Sequence, residues 1–179
     1  KAVEKDRWIF DSKIIYFIIK KLHLLNITVD LLADNHNKIC DKYYSRYKDG
    51  YSLGYNWMRY DKNHFISEIC YLNPPFRGDY ISLSIQFIIE RHINCYLILP
   101  LWVSAMWFQK ILYYSSYIIE IPIDAKCFKS PAYMTIRSTK KWRTMVAILF
   151  FREESYIPLD RLIERYTACV IVFSHVCMQ

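Results

Sequence analysis

Asn73-Pro74-Pro75-Phe76 is the stretch whose residue types and spacing can do chemistry. The side-chain amide oxygen of Asn73 and the backbone carbonyl of Pro74 are two hydrogen-bond acceptors on neighbouring residues. They match the two N–H hydrogens of an exocyclic adenine amine. That amine is a poor nucleophile, because its lone pair is delocalised into the ring. Holding both hydrogens favours a geometry whose lone pair points at an incoming methyl group. The prolines stiffen the loop, so the acceptors are preorganised. Phe76 can stack on an extruded base, as base-modifying enzymes require. No metal and no covalent intermediate are needed. The bland alternative is a proline turn with an incidental asparagine.

The loop follows an apolar run, Ile69-Cys70-Tyr71-Leu72, and residues 67–72 read as a strand. In an open α/β sheet, ligands gather beyond the carboxyl ends of the strands, so the location suits a site. Upstream, residues 11–24 read as a helix capped by Asp11 or Ser12. Residues 27–32 read as a short β-branched strand carrying Asp30. Residues 33–63 are polar and read mostly as loop, and connections of that length are usually functional.

Downstream, residues 79–92 read as a helix with Asp79 as N-cap, and 95–99 as a strand stopped by Pro100. A helix at 104–114 and a strand at 117–121 follow. Two antiparallel strands are expected near 131–137 and 144–151, linked through Ser138, Thr139, Lys140 and Lys141. Pro158 and Asp160 open a short helix, and 169–173 reads as a last strand. Strands alternating with helices, each strand nearly all apolar, predict one α/β domain over residues 1–179. Its sheet is mainly parallel and covered on both faces, with an antiparallel C-terminal part.

Composition narrows the partners. A chain of 179 residues, 54% apolar and 23% charged, is globular and long enough for a real core. Its net charge of +7 favours nucleic acid or another anionic surface. The six cysteines form no CxxC pair and several lie in apolar runs, which reads as buried free thiols in a reducing, intracellular compartment, nucleus or cytoplasm. The five histidines show no ligand spacing, so no metal is expected. No signal peptide is legible, and the uncharged stretch 93–109 is short and interrupted for a membrane span. Lys1 in place of a methionine reads as a start inside a longer chain.

Several pieces in order resemble the phage-type DNA adenine-N6 methyltransferase family, which also occurs in retrotransposons. They are Asp6-Arg7-Trp8-Ile9-Phe10, Val29-Asp30-Leu31-Leu32-Ala33 with Asn37, Tyr43-Tyr44-Ser45, Asp49-Gly50-Tyr51-Ser52-Leu53 with Trp57, Asn73-Pro74-Pro75-Phe76, and Leu97-Ile98-Leu99-Pro100 with Trp107-Phe108. The resemblance covers roughly residues 6–121 and extends, more distantly, to the enzyme that methylates cap-adjacent adenosine in mRNA. It implies a compact Rossmann-like class I methyltransferase fold with S-adenosylmethionine as cofactor. On that resemblance Asp30 binds a hydroxyl or ammonium of the cofactor, Trp8 and Phe10 close over its methionine end, and Asn37 holds the loop or contacts the adenosine. Ala33 stands in the turn that is usually glycine-rich, a departure shared with the surrounding Leu31-Leu32-Ala33-Asp34. The stretch between Asp30 and Asn73 is also short for this fold.

A nucleic-acid surface is expected from Lys126, Lys129, Arg137, Lys140, Lys141 and Arg143, interleaved with Phe128, Tyr133 and Trp142 and opposed by Asp124. Basic groups neutralise phosphates while aromatics stack on bases. A second basic-aromatic stretch, 38–48, flanks the expected cofactor loop. Three readings stay open at the level of sequence: methylation of adenine in DNA, which is favoured; the same chemistry on RNA; and a catalytically silent methyltransferase fold serving as a nucleic-acid-binding subunit. An additional protein subunit is compatible with each.

Overall fold

A computed structural model describes residues 8–122, 127–129, 136–137, 143–151 and 170–172, the backbone alone for 136–137 and 170–172. The centre is a six-stranded sheet. In spatial order its strands are β11 (Val170–Val172), β7 (Tyr117–Ile121), β10 (Thr144–Leu149), β6 (Cys95–Pro100), β5 (Cys70–Leu72) and β2 (Val29–Asp30). β2, β5 and β6 run parallel, β7 and β11 are parallel, and β10 is antiparallel to both of its neighbours. The architecture is therefore mixed α/β with a mostly parallel central sheet and three helices among the described residues.

Strand periodicity sorts the core into two layers. Cys70 and Leu72 of β5, Cys95, Leu97 and Leu99 of β6, and Met145, Ala147 and Leu149 of β10 face helices α2 (Gly78–Glu90) and α3 (Phe108–Tyr114). The alternate residues, Tyr71, Tyr96, Ile98, Val146 and Ile148, face helix α1 (Ser12–Lys21). Burial on both faces is why β6 and β10 read as unbroken apolar runs. α1 contributes Ile15, Ile18 and Ile19, the i, i+3, i+4 stripe that an amphipathic helix turns to a core.

The helix ends have local causes. Asp11 caps α1 by accepting a hydrogen bond from the Lys13 N–H at 3.0 Å. α1 stops at Lys21, short of the expected 24, because His23 turns left-handed (φ 52°) and Leu24 N–H reaches back to the Ile19 carbonyl at 2.9 Å. α2 ends alike, with His92 at φ 49° and Ile93 N–H on the Ile88 carbonyl at 3.0 Å. This is a helix stop normally built on glycine, here with histidine. At the start of α2 the sequence expectation is corrected: Arg77 occupies the cap position and Asp79 lies inside the first turn. α3 likewise starts later than expected, at Phe108, because residues 103–107 are turns.

The expected pairing of two C-terminal strands is also corrected. β9 (Ile136–Arg137) pairs with β8 (Phe128–Lys129), which pairs with β1 (Ile9–Phe10) in a separate three-stranded antiparallel sheet. β10 instead inserts between β6 and β7, where its six buried positions, five of them apolar, find neighbours on both sides. The expected short helix near 158–160 lies outside the described residues. Residues 33–63, read as loop, hold two short parallel strands, β3 (Tyr44–Ser45) and β4 (Gly54–Tyr55), and two 3-10 turns. β3 and the residues before it line the free edge of β2 through Asp30 N–H to the Lys42 carbonyl (3.0 Å) and Ala33 N–H to the Tyr44 carbonyl (2.9 Å).

Glu68 anchors this segment from below, accepting from Lys42 Nζ and from the Thr28 hydroxyl. Burial opposes ionisation of Glu68, but those two partners win and hold its carboxyl below the ordinary value of 4.5. A depressed carboxylate stabilises the fold above its unfolded pKa, and that contribution is lost as pH falls through the folded one. The melting-temperature gap between the wild type and Glu68→Gln should therefore be widest near neutral pH and close as pH falls through the lowered folded-state pKa. At the end of α1, His23→Gly should relieve a left-handed side chain, adding about 1 kcal/mol and raising Tm by about 2–4 °C in a thermal melt.

Candidate active site

β2 and β5 end side by side. Asp30, the last residue of β2, pairs in register with Tyr71, and Asn73 stands one residue beyond β5. Parallel pairing thus brings a carboxylate and an amide to the same end of the sheet.

Asn73 is held by a bond that fixes which way its amide points. Its Nδ2 donates to the Trp8 carbonyl at 2.8 Å. A carbonyl only accepts, so the nitrogen must face Trp8 and the oxygen must face away. Among the described residues nothing donates to Oδ1 of Asn73 or to the carbonyl of Pro74. Pro74 is buried, and the next carbonyl, of Pro75, accepts from Arg77 N–H at 2.7 Å, closing the loop into α2. Phe76 is half-buried and belongs to the aromatic packing around the loop. It sits edge-on to Phe128 (5.7 Å, 86°) and to Trp102 (6.4 Å, 67°).

Asp30 is buried, with 2% exposure, and organises the chain that follows it. Oδ1 accepts from Leu32 N–H and Oδ2 from Ile39 N–H, each at 3.1 Å. These bonds fold residues 31–39 over the end of β2. Within that loop Asn37 Oδ1 accepts from Asp34 N–H at 2.7 Å, while Asp34 Oδ1 accepts from the N–H groups of His36 (2.8 Å) and Asn37 (3.0 Å). The oxygen of Asn37 therefore holds the loop, leaving its Nδ2 as the end that can donate to a ligand. Tyr16 of α1 ties the far side down, its hydroxyl donating to the Ile39 carbonyl at 2.9 Å.

Between this loop, β1 and the Asn73 turn lies a cavity of about 220 Å³. Of the residues singled out by sequence, Trp8, Phe10, Asp30, Asn37, Asn73 and Lys129 line it. Trp8 is exposed, whereas Phe10 is buried against Phe128 (5.5 Å, edge-on). Ala33 is buried outside the lining, its N–H on Tyr44. Pro74, Pro75 and Phe76 flank the cavity without lining it.

The expected basic surface divides. Lys129 faces the cavity from β8, opposite Ile9. Arg143 is exposed and bound to Glu120 at 2.5 Å, one residue before the Thr144–Pro100 pair that marks the same end of the sheet. Arg137 lies on β9, with only its backbone described, and Lys126, Lys140 and Lys141 lie outside the described residues, as do Asp124, Tyr133 and Trp142.

Sequence reasoning missed Tyr71. It is buried at 4% exposure, lines the cavity, and its hydroxyl makes no hydrogen bond among the described residues. Burial, then the neighbouring Asp30 and Tyr16, push its pKa well up, so the hydroxyl stays protonated. The signal was present: Tyr71 precedes Asn73 by two, and period 2 sends both to one face. Lys38, the first residue of the second basic-aromatic stretch, also lines the cavity, as do Asp11, Ser12 and His36, which were not selected as site residues. Cys40, half-buried nearby, is a thiol pushed up to about 11 by burial and by Asp30, and Cys70, Cys95 and Cys127 are free and buried. Among the described residues, no helix is long and apolar enough to cross a membrane.

No curated protein is similar enough to match this chain. The family model described as DNA N-6-adenine-methyltransferase (Dam) matches residues 1–154, which take in β1, the Asp30 loop, the Asn73 turn and the sheet through β10. With the match spanning most of its length, the chain belongs to the DNA N-6-adenine-methyltransferase (Dam) family.

Proposed function

We propose that this chain is an adenine-N6 methyltransferase, acting on DNA in preference to RNA, with one S-adenosylmethionine-dependent domain of compact Rossmann-like class I type. The observation that carries the reading is the state of the Asn73 loop. The two acceptors that an adenine amine requires, Asn73 Oδ1 and the Pro74 carbonyl, are unengaged among the described residues, and the Trp8 carbonyl fixes the orientation of the first.

The cavity beside that loop fits S-adenosylmethionine in its donor set. It combines a carboxylate from Asp30, cations from Lys129 and Lys38, an uncommitted hydroxyl from Tyr71 and aromatic walls from Trp8 and Phe10. A zwitterionic amino-acid end, ribose hydroxyls and an adenine ring call for those groups. When bound between Asp30, Lys38, Tyr71, Lys129, Trp8 and Phe10, the cofactor would supply an electrophilic sulfonium methyl group, with its thioether as leaving group and water to take the N–H proton.

The residues of this chain prepare the other reactant. Asn73 Oδ1 and the Pro74 carbonyl each accept one amine hydrogen, which orients the base and moves electron density toward nitrogen in the transition state. Their rigidity matters because acceptors that need no reorganisation favour the transition state over the ground state. Pro74 and Pro75 supply that rigidity, and the Pro75–Arg77 bond joins it to α2. Phe76, braced by Phe128 and Trp102, offers an aromatic wall to an extruded base. Arg143, held by Glu120 at the same end of the sheet, would meet a phosphate.

Transfer of a labelled methyl group from S-adenosylmethionine to duplex DNA, single-stranded DNA and RNA tests this directly. N6-methyladenine should appear in DNA, and Asn73→Ala should lower the rate at least about a hundredfold while circular dichroism stays unchanged. Label in RNA alone would change the substrate. No transfer to any acceptor, or full activity in Asn73→Ala, would refute the catalytic reading.

A further inference from the structure

We propose that Lys129 and Tyr71 form a carboxylate subsite in the cavity, holding the carboxylate of the cofactor's amino-acid end; this rests on the cavity being the cofactor site.

The argument starts from which polar groups of the cavity are already used. Asp30 has a backbone N–H on each carboxylate oxygen, and the oxygen of Asn37 is bound to Asp34. Two of the donors stand uncommitted among the described residues: the hydroxyl of Tyr71 and the ammonium of Lys129. A hydroxyl that opens into the cavity with no protein partner is available to a ligand acceptor. A cation and a neutral donor lining one cavity select an anionic acceptor, and a carboxylate takes charge-assisted bonds from both.

Backbone geometry sets the two residues in place. Tyr71 is on β5, in register with Asp30 and two residues before Asn73. Lys129 is on β8, in register with Ile9, while its neighbour Phe128 packs on Phe10. The subsite therefore forms only when β1 is clamped between the Asn73 amide and β8, so the same pairing that orients Asn73 brings Lys129 to the cavity. By sequence Lys129 reads as a phosphate contact.

Isothermal titration of the full chain with two probes separates the possibilities. S-adenosylhomocysteine carries the amino-acid end; 5′-methylthioadenosine keeps the nucleoside and sulfur without it. Lys129→Met should weaken S-adenosylhomocysteine roughly tenfold or more, and Tyr71→Phe should weaken it a few fold. Affinity for 5′-methylthioadenosine should stay within about twofold in both variants. Tyr71→Phe retains the ring and Lys129→Met the stem, and thermal melts of both report on folding.

Equal weakening of both probes, or no weakening of either, overturns the subsite while leaving the cavity as a cofactor site. Unchanged binding of S-adenosylhomocysteine by Lys129→Met, with loss of affinity for labelled duplex DNA in fluorescence anisotropy, returns Lys129 to a phosphate contact. A wild-type chain that binds neither probe overturns the cofactor reading and this proposal together.

Discussion

An asparagine amide has a donating end and an accepting end, and here the backbone of another strand chooses between them. The Trp8 carbonyl takes the nitrogen of Asn73, so the oxygen is turned outward. Much of the site depends on that one bond. It requires β1 to lie across the end of β5, which in turn requires β8 to pair with β1 and Phe128 to pack on Phe10. Phe76 then rests on Phe128, and Lys129 turns to the cavity. The bond itself is worth only about 1 kcal/mol, but the orientation it selects is shared by every group around it.

The second constraint is the burial of Asp30. A carboxylate this deep is tolerated only with hydrogen-bond partners, and two backbone N–H groups from the next nine residues supply them. The loop is thereby wrapped around the charge, with Tyr16 and Asn37 fastening its ends. Asp30 is thus a structural residue before any ligand arrives. The proposed cofactor role adds to that duty, since the same carboxylate both shapes the cavity and lines it.

β10 gives the sheet its mixed character. An antiparallel strand entering between β6 and β7 starts where β6 finishes, so Thr144 pairs with Pro100 and Arg143 arrives at the end of the sheet where Asn73 stands. Helices on one face and α1 on the other then seal a core in which both sets of alternate residues are apolar.

How much of this was legible depended on the range of the interaction involved. The Asn73 loop, the apolar strands around it, the capped start of α1 and the burial of Cys70 and Cys95 all follow from local patterns. Family resemblance, read from short pieces in order, agrees with the family match over residues 1–154. The partnership of β10 was not legible, because an apolar strand is content beside any neighbour that buries it, and nearness in sequence wrongly suggested β9. The cap of α2 was misassigned to Asp79 because composition marks a helix start only to within a turn. Lys129 was grouped with other basic residues by sequence proximity, whereas strand pairing with Ile9 placed it in the cavity. By itself the sequence determined the proline-stiffened Asn73 loop behind its apolar strand and the apolar periodicity, since both are written in neighbouring residues. Only the tertiary structure decided which way Asn73 points and which groups share its cavity, since those depend on strands about 60 residues before and after it meeting at one sheet end.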